Sequence, residues 1–155
     1  MSCEFRRTLE TPIGRLLLVA TEQGLAQIGF HCLDVENDAH PLLLQAERQL
    51  QEYFAGRRRR FSVPLSINGS DFQKKVWQAL REIPYGETRS YLDIARRIEQ
   101  PKACRAVGQA NHANPLPILL PCHRVIGRDG RLGGYAGGTA EKQFLLELER
   151  KYAEV

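Results

Sequence analysis

Apolar residues switch between two periods along this chain. Leu16, Leu17, Leu18 and Val19, then Leu25, Ile28 and Phe30, read as two short strands. Glu22-Gln23-Gly24 between them has hairpin-turn chemistry. From Leu42 the period becomes helical. Leu42, Leu43, Ala46, Leu50, Tyr53 and Phe54 recur at helical spacing, and Gly56 is a fitting C-terminal stop. Phe61 to Ile67 reads as a further strand or an extended linker. Together these predict a small α/β unit with its linker over residues 1–69.

A second, mostly helical unit is predicted over 70–155. Ser70-Asp71-Phe72-Gln73 is a capping-box pattern, followed by Phe72, Val76, Leu80 and Ile83 on one helical face. Pro84-Tyr85-Gly86-Glu87 makes a turn. Ser90 then caps a helix over Tyr91–Ile98, and Gln100-Pro101 breaks it. A helix of small residues follows from Lys102 to Ala110, with Pro101 at its start. Thr139 is read as the cap of a last helix whose Phe144, Leu145, Leu148 and Tyr152 share a face. The fold class is thus α/β (α+β).

The paired helices 91–98 and 102–110 form either a helix-turn-helix or an ordinary αα-hairpin. Ala103, Ala106, Gly108 and Ala110 offer almost nothing for hydrogen bonds to base edges in a major groove. A helix this slim suits a minor groove, where the code is degenerate. Charge sharpens the picture. Residues 1–70 carry eight basic and eight acidic side chains, whereas Phe72–Thr139 carries eleven Lys/Arg against five Asp/Glu. The basic excess of the second unit suits a polyanion. Arg57–Arg60 reads as a solvated linker.

No apolar run approaches the roughly 18 residues that span a bilayer, and no signal core is visible at the start, so an intracellular, cytoplasmic protein is expected (nuclear in a eukaryote). Cys3, Cys32, Cys104 and Cys122 form no C-x-x-C pair, and free thiols are expected. Neighbouring His31 and Cys32 are badly spaced for zinc ligands.

The chemistry concentrates in Asn114-Pro115-Leu116-Pro117-Ile118-Leu119-Leu120-Pro121-Cys122-His123-Arg124-Val125-Ile126-Gly127. An imidazole next to a thiol can take its proton directly or through water, and the thiolate is the nucleophile. A buried, inert cysteine is the plain alternative. Pro121-Cys122-His123-Arg124-Val125 resembles the active-site signature of the O6-alkylguanine-DNA alkyltransferases, also called methylated-DNA–protein-cysteine methyltransferases. Further blocks share the resemblance: Pro84–Glu87, Ser90-Tyr91, Arg105–Gly108, Asn114-Pro115, Tyr135–Gly138 and Lys142–Glu149. It covers 70–150 strongly and 1–69 more weakly, through Thr11-Pro12-Ile13-Gly14.

By that resemblance, Cys122 accepts the alkyl group, His123 acts as base through a water, and Glu149 holds and polarises His123. Asn114 is the hinge asparagine of the turn before the cysteine. Tyr91 helps to swing the nucleotide out and donates to the guanine, and Arg105 fills the gap left in the base stack. Ala103, Ala106 and Gly108 line the DNA-facing helix. Tyr135, Ala136 and Gly137 form a pocket wall, with the Ala136 N–H available to guanine O6; many relatives carry serine there. Arg124, Val125 and Lys142 are carried over as further substrate- or DNA-facing positions.

The resemblance also implies a ribonuclease H-like first unit and a winged-helix-like second one. It implies a monomer acting once on double-stranded DNA through the minor groove, with no cofactor. Of the zinc ligands some relatives carry, only Cys3 matches, while Thr21 and Ala26 replace two others, so no metal is expected. A relative that only recognises alkylguanine is the main rival, but such proteins replace the cysteine. A cysteine hydrolase lacks a recognisable oxyanion site here. A plain transcriptional regulator lacks base-reading side chains.

Overall fold

The computed structural model describes residues 3–153, which divide into two units, the first ending at Asn68 and the second beginning at Gly69. In the first, β1 (Phe5–Thr11), β2 (Gly14–Thr21) and β3 (Gly24–Gly29) form an antiparallel sheet in sequence order. Pro12 and Ile13 make the first turn, and Gly14 closes it at φ +101, a left-handed conformation that favours glycine. Glu22 and Gln23 make the second.

α1 (Pro41–Phe54) follows, capped by His40 and stopped where Gly56 turns left-handed. Leu43, Ala46, Leu50 and Tyr53 on this helix are buried, as are Leu16, Leu18, Leu25 and Ile28 of the sheet. Residues 61–67 are extended rather than a full strand. Leu25 and Leu65 form an isolated parallel bridge, with Leu25 N donating to Pro64 O and Ser66 N to Leu25 O. Gly24 permits this approach, because a Cβ there would stand 2.7 Å from the Leu65 carbonyl carbon. Gln49, buried among the apolar residues, pins the segment through Ser62 and Val63.

In the second unit α2 (Asp71–Arg81) starts at the Ser70 capping box, with both reciprocal bonds made. Its Trp77 donates from Nε1 to Ala110 O at 2.8 Å, tying it to the helix that carries Ala110. α3 (Tyr91–Arg97) starts at a second capping box, Ser90 with Asp93. α4 spans Cys104–His112, shifted two residues from its expected start. Glu99 turns left-handed at φ +63, and Ala103 N donates to Gln100 O, so Pro101 and Lys102 belong to the turn and Ala103 becomes the N-cap. α3 and α4 pack together as a helix-turn-helix.

β4 (Arg89–Ser90) and β5 (Val125–Ile126) form a short parallel pair. α5 (Thr139–Ala153) ends the unit. Thr139 is its first residue rather than its cap, since Lys142 N already bonds Gly138 O. Its fully buried stripe is Lys142, Leu145 and Glu149; Phe144, Leu148 and Tyr152 flank it half-exposed. Two charged residues occupy the centre because each has partners there. Among the described residues no helix is long and apolar enough to cross a membrane.

Candidate active site

The segment before Cys122 is built by Asn114. Its Nδ2 donates to Leu120 O at 2.6 Å, and its Oδ1 accepts from Leu116 N at 2.8 Å. One side chain therefore closes both ends of the Leu116–Leu120 loop. Within that loop Ile118 adopts φ +76, a strained conformation for a β-branched residue, and the surrounding bonds hold it there. Cys122 begins a single 3-10 turn, Cys122–Arg124, all three residues buried.

Burial pushes the Cys122 thiol up to about 11. Four groups oppose the shift: the Asn114 side chain, the Lys142 charge, and the backbone N–H groups of Cys122 and His123. Those same groups are in position to stabilise a thiolate once it forms.

His123 is fully buried and its Nε2 lies 2.6 Å from Glu149 Oε2. Burial lowers the imidazole's proton affinity despite the pull of Glu149. Burial alone would raise Glu149, but the His123 ring and the Arg124 guanidinium outweigh it and hold the carboxyl well below its ordinary range. The consistent state is a neutral imidazole beside a carboxylate. Nε2–H then donates to Glu149, and Nδ1, buried and without a partner among the described residues, keeps its lone pair.

Arg124 and Lys142, carried over as substrate- or DNA-facing positions, are both buried. Arg124 is buried, donating to Glu149 through Nε and Nη2 and to Ile83 O through Nη1. Its charge is taken up by the carboxylate. Lys142 is equally buried. Its Nζ donates to the carbonyls of Val125 (2.7 Å), Leu132 and Gly134 (3.4 Å), tying the loop 127–137 to β5. Burial lowers it to about 8, so it stays charged at neutral pH. The Val125 side chain is buried too, and its carbonyl already serves Lys142.

A small pocket opens at Cys122, lined by Asn111, His112, Asn114, Pro117, Cys122, Gly134, Tyr135 and Ala136. Tyr135 and Gly137 are buried and Ala136 is exposed. Burial raises Tyr135 well above its ordinary value. Tyr91, half-buried at the start of α3, lies against Gly108 and Gly133, where added Cβ atoms would come within 3.9 Å and 2.9 Å of it. Burial and then the Cys122 charge raise its phenol. On α4, Arg105 is exposed and Ala103 and Ala106 are partly so; Gly108 faces Tyr91 instead.

Two contributors escaped the sequence reading. Gly86 N donates to Glu149 Oε1 at 3.2 Å, and its φ of +82 and a Cβ position 2.6 Å from Ala153 Cβ leave room only for glycine. Asn111 joins the buried stripe Val107, Ala110 and Asn111. A polar residue four positions past apolar Val107 was the available signal, hidden by ending the helix at Ala110.

Comparison with known proteins agrees with this geometry. Residues 71–151 match the family model "6-O-methylguanine DNA methyltransferase, DNA binding domain", and residues 5–67 match its "ribonuclease-like domain". The chain belongs to the 6-O-methylguanine DNA methyltransferase family.

The constitutive methylated-DNA–protein-cysteine methyltransferase of Bacillus subtilis is 53% identical over 154 residues, covering 92% of this chain and 93% of the relative. The methylated-DNA–protein-cysteine methyltransferase of Methanosarcina acetivorans is 50% identical over 147 residues, covering 90% and 94%. Among solved structures, the Mycobacterium tuberculosis O6-methylguanine methyltransferase superposes with a TM-score of 0.88 at 43% identity, over 97% of this chain and 94% of that one. Mycobacterium tuberculosis OGT in complex with DNA gives 0.87 at 45% identity, over 96% and 94%.

Proposed function

We propose that this protein repairs DNA by direct reversal, moving an alkyl group from O6 of guanine to Cys122 once per molecule. The observation that carries the reading is the buried chain Cys122, His123, Glu149 and Arg124, in which a neutral imidazole keeps Nδ1 free to take a proton.

O6 is buried in a paired duplex, so the nucleotide must leave the stack at a cost of a few kcal/mol. Tyr91 assists at the pocket mouth and donates to the base, while Arg105 fills the vacated space. The slim face of α4, with Ala103 and Ala106, enters the minor groove. Bound base lies between Cys122 and the wall formed by Tyr135, Ala136 and Gly137.

The thiol proton passes through a water to His123 Nδ1. Thiolate sulfur then attacks the alkyl carbon, the C–S bond forms and the C–O6 bond breaks. The electron pair stays on guanine oxygen and is met by the Ala136 N–H and by a proton. The resulting thioether is not cleaved by water, so the protein is consumed. No cofactor enters this scheme, and the protein acts as a monomer where the DNA is, in the cytoplasm or, in a eukaryote, the nucleus. The intact Cys122 speaks against a recognition-only role.

The test is intact-protein mass spectrometry after mixing with a duplex bearing one O6-methylguanine. A gain of one methyl group on Cys122, absent from Cys122→Ala, is expected. Tight lesion binding without a mass change would overturn the transfer step.

A further inference from the structure

α2 and α3 leave a groove between them that the alkyl-transfer scheme does not use. Two adjoining hollows of about 440 and 490 Å3 run along it, sharing Ala79, Glu82 and Arg97. Helical spacing builds one wall: Lys74, Gln78 and Glu82, with Lys75 and Ala79 beside them, fall on one side of α2. Ile94, Arg97 and Ile98 form the other. Ala79, Ile83 and Ile94 are buried at the base and Ile98 is half-buried, so the floor is apolar. The rim is charged. Five cations, Lys74, Lys75, Arg89, Arg96 and Arg97, stand against two carboxylates, Glu82 and Asp93.

Both carboxylates are already committed. Glu82 Oε2 accepts from Arg97 Nε at 3.0 Å and from Nη2 at 2.7 Å. Asp93 Oδ2 accepts from Ser90 N at 2.8 Å in the α3 capping box. Arg89 pairs with Glu87 at 3.2 Å. Lys74, Lys75 and Arg96 remain, exposed and without an ion pair among the described residues. An apolar floor below unpaired cations complements a chain that carries apolar and acidic side chains together. A row of phosphates would use the cations alone. α4, the helix read as DNA-facing, contributes no residue to the groove.

We propose that this groove is a docking surface for an acidic, apolar-bearing peptide segment of another protein. Its carboxylates meet Lys74, Lys75 and Arg96, and its apolar side chains lie on Ala79, Ile94 and Ile98. The surface stands apart from the Cys122 site, and docking does not depend on the transfer step.

The experiment is fluorescence anisotropy of the full chain with a short labelled peptide in which Asp and Glu alternate with Leu and Phe. Saturable binding that weakens with salt is expected. Lys74→Glu combined with Lys75→Glu, and separately Arg96→Glu, should each weaken it by about tenfold, as attraction turns to repulsion. A peptide with Ser in place of Leu and Phe should also bind about tenfold less well. Arg105→Ala should leave the peptide affinity unchanged. Lys74, Lys75 and Arg96 are exposed and lie outside the Cys122 site, so their variants are expected to melt as wild type does and to keep its rate of Cys122 methylation.

No saturable binding to wild type, or equal binding by the charge-reversed variants, would overturn the inference. Equal binding of the Ser peptide would reduce the groove to a general cationic surface and overturn it as well. Displacement of the peptide by undamaged duplex, with the variants losing duplex affinity in step, would assign the groove to DNA instead. Concentration-dependent sedimentation of wild type alone, abolished by the same reversals, would assign it to a second copy of the chain.

Discussion

Arg124 grips Glu149 with two donors, Nε to Oε1 at 2.8 Å and Nη2 to Oε2 at 3.0 Å. His123 Nε2 approaches the same carboxylate at 2.6 Å. The His123 ring and the Arg124 guanidinium both keep Glu149 ionised, and the guanidinium does so without the ring having to be protonated. That division matters, because a protonated imidazole could not receive the thiol proton. Burial and then the Arg124 charge, at a residue carried over as substrate- or DNA-facing, hold down the imidazole's proton affinity.

Glu149→Gln tests this arrangement. Removing the carboxylate strands a buried guanidinium, a change that costs about 3–5 kcal/mol in comparable buried pairs, so a large fall in melting temperature is expected. The pH dependence has a definite sign. Glu149 is held below its unfolded value, so its stabilisation is present above about pH 4.5 and is lost as pH falls through the lower folded value. The variant should therefore show a flatter acid limb than wild type in thermal melts across pH 3 to 7. Equal acid sensitivity would count against the assignment.

Arg105 and Arg124 should part company when each is replaced by alanine. Arg105 is exposed on α4 and Arg124 is buried. Arg105→Ala is expected to weaken duplex binding and to make it less salt-dependent, by about one unit of slope, with an unchanged melting temperature. Arg124→Ala should do the reverse, lowering the melting temperature and leaving the salt dependence alone. Fluorescence anisotropy across a salt series, beside thermal melts, reads both. A normal melt for Arg124→Ala would show that the ion pair is dispensable.

Local signals were legible in the sequence where they act within a few residues. The Ser70 and Ser90 capping boxes, the Glu22–Gly24 turn and the α1 face all depend on short spacings. Asn114 and Glu149 were reached only through the family resemblance. What stayed hidden depends on partners far along the chain. The burial of Lys142, carried over as a substrate- or DNA-facing position, was not legible because its three carbonyl acceptors, on Val125, Leu132 and Gly134, become neighbours only when the loop 127–137 folds back. The start of α4 was misjudged because proline fits a first helical turn, whereas the left-handed Glu99 carries the chain past it.

Asn114 closes its loop with two hydrogen bonds, and both partners are backbone groups that alanine would leave unsatisfied. Each loss costs about 1–3 kcal/mol if the group stays buried. The strained Ile118 would relax as its restraints go. Asn114→Ala is therefore expected to lower the melting temperature and to slow transfer to Cys122 by more than tenfold, because the thiol loses both its positioning and a stabilising amide. Asn114→Asp keeps the acceptor for Leu116 N but puts a negative charge near the thiol, so it should slow transfer too. Near-normal rates in both variants would mean that the loop holds its shape without this side chain.

The thiol itself offers a measurement that needs no substitution to begin with. Burial lifts Cys122 to about 11, so on the order of one molecule in ten thousand carries a thiolate at pH 7. Iodoacetamide, which brings no machinery of its own, should label Cys122 far more slowly than the exposed Cys3. Its rate should climb about tenfold per pH unit from 7 to 10, following the thiolate fraction. Transfer from a methylated duplex should climb much less steeply, because His123 removes the proton during reaction. In His123→Ala the duplex reaction should become slow and acquire the steeper profile. Peptide mapping by mass spectrometry reads all four cysteines at once. A labelling rate at Cys122 that levels off near pH 8 would show that the thiol is already activated at rest, and the proton relay would then have nothing to explain.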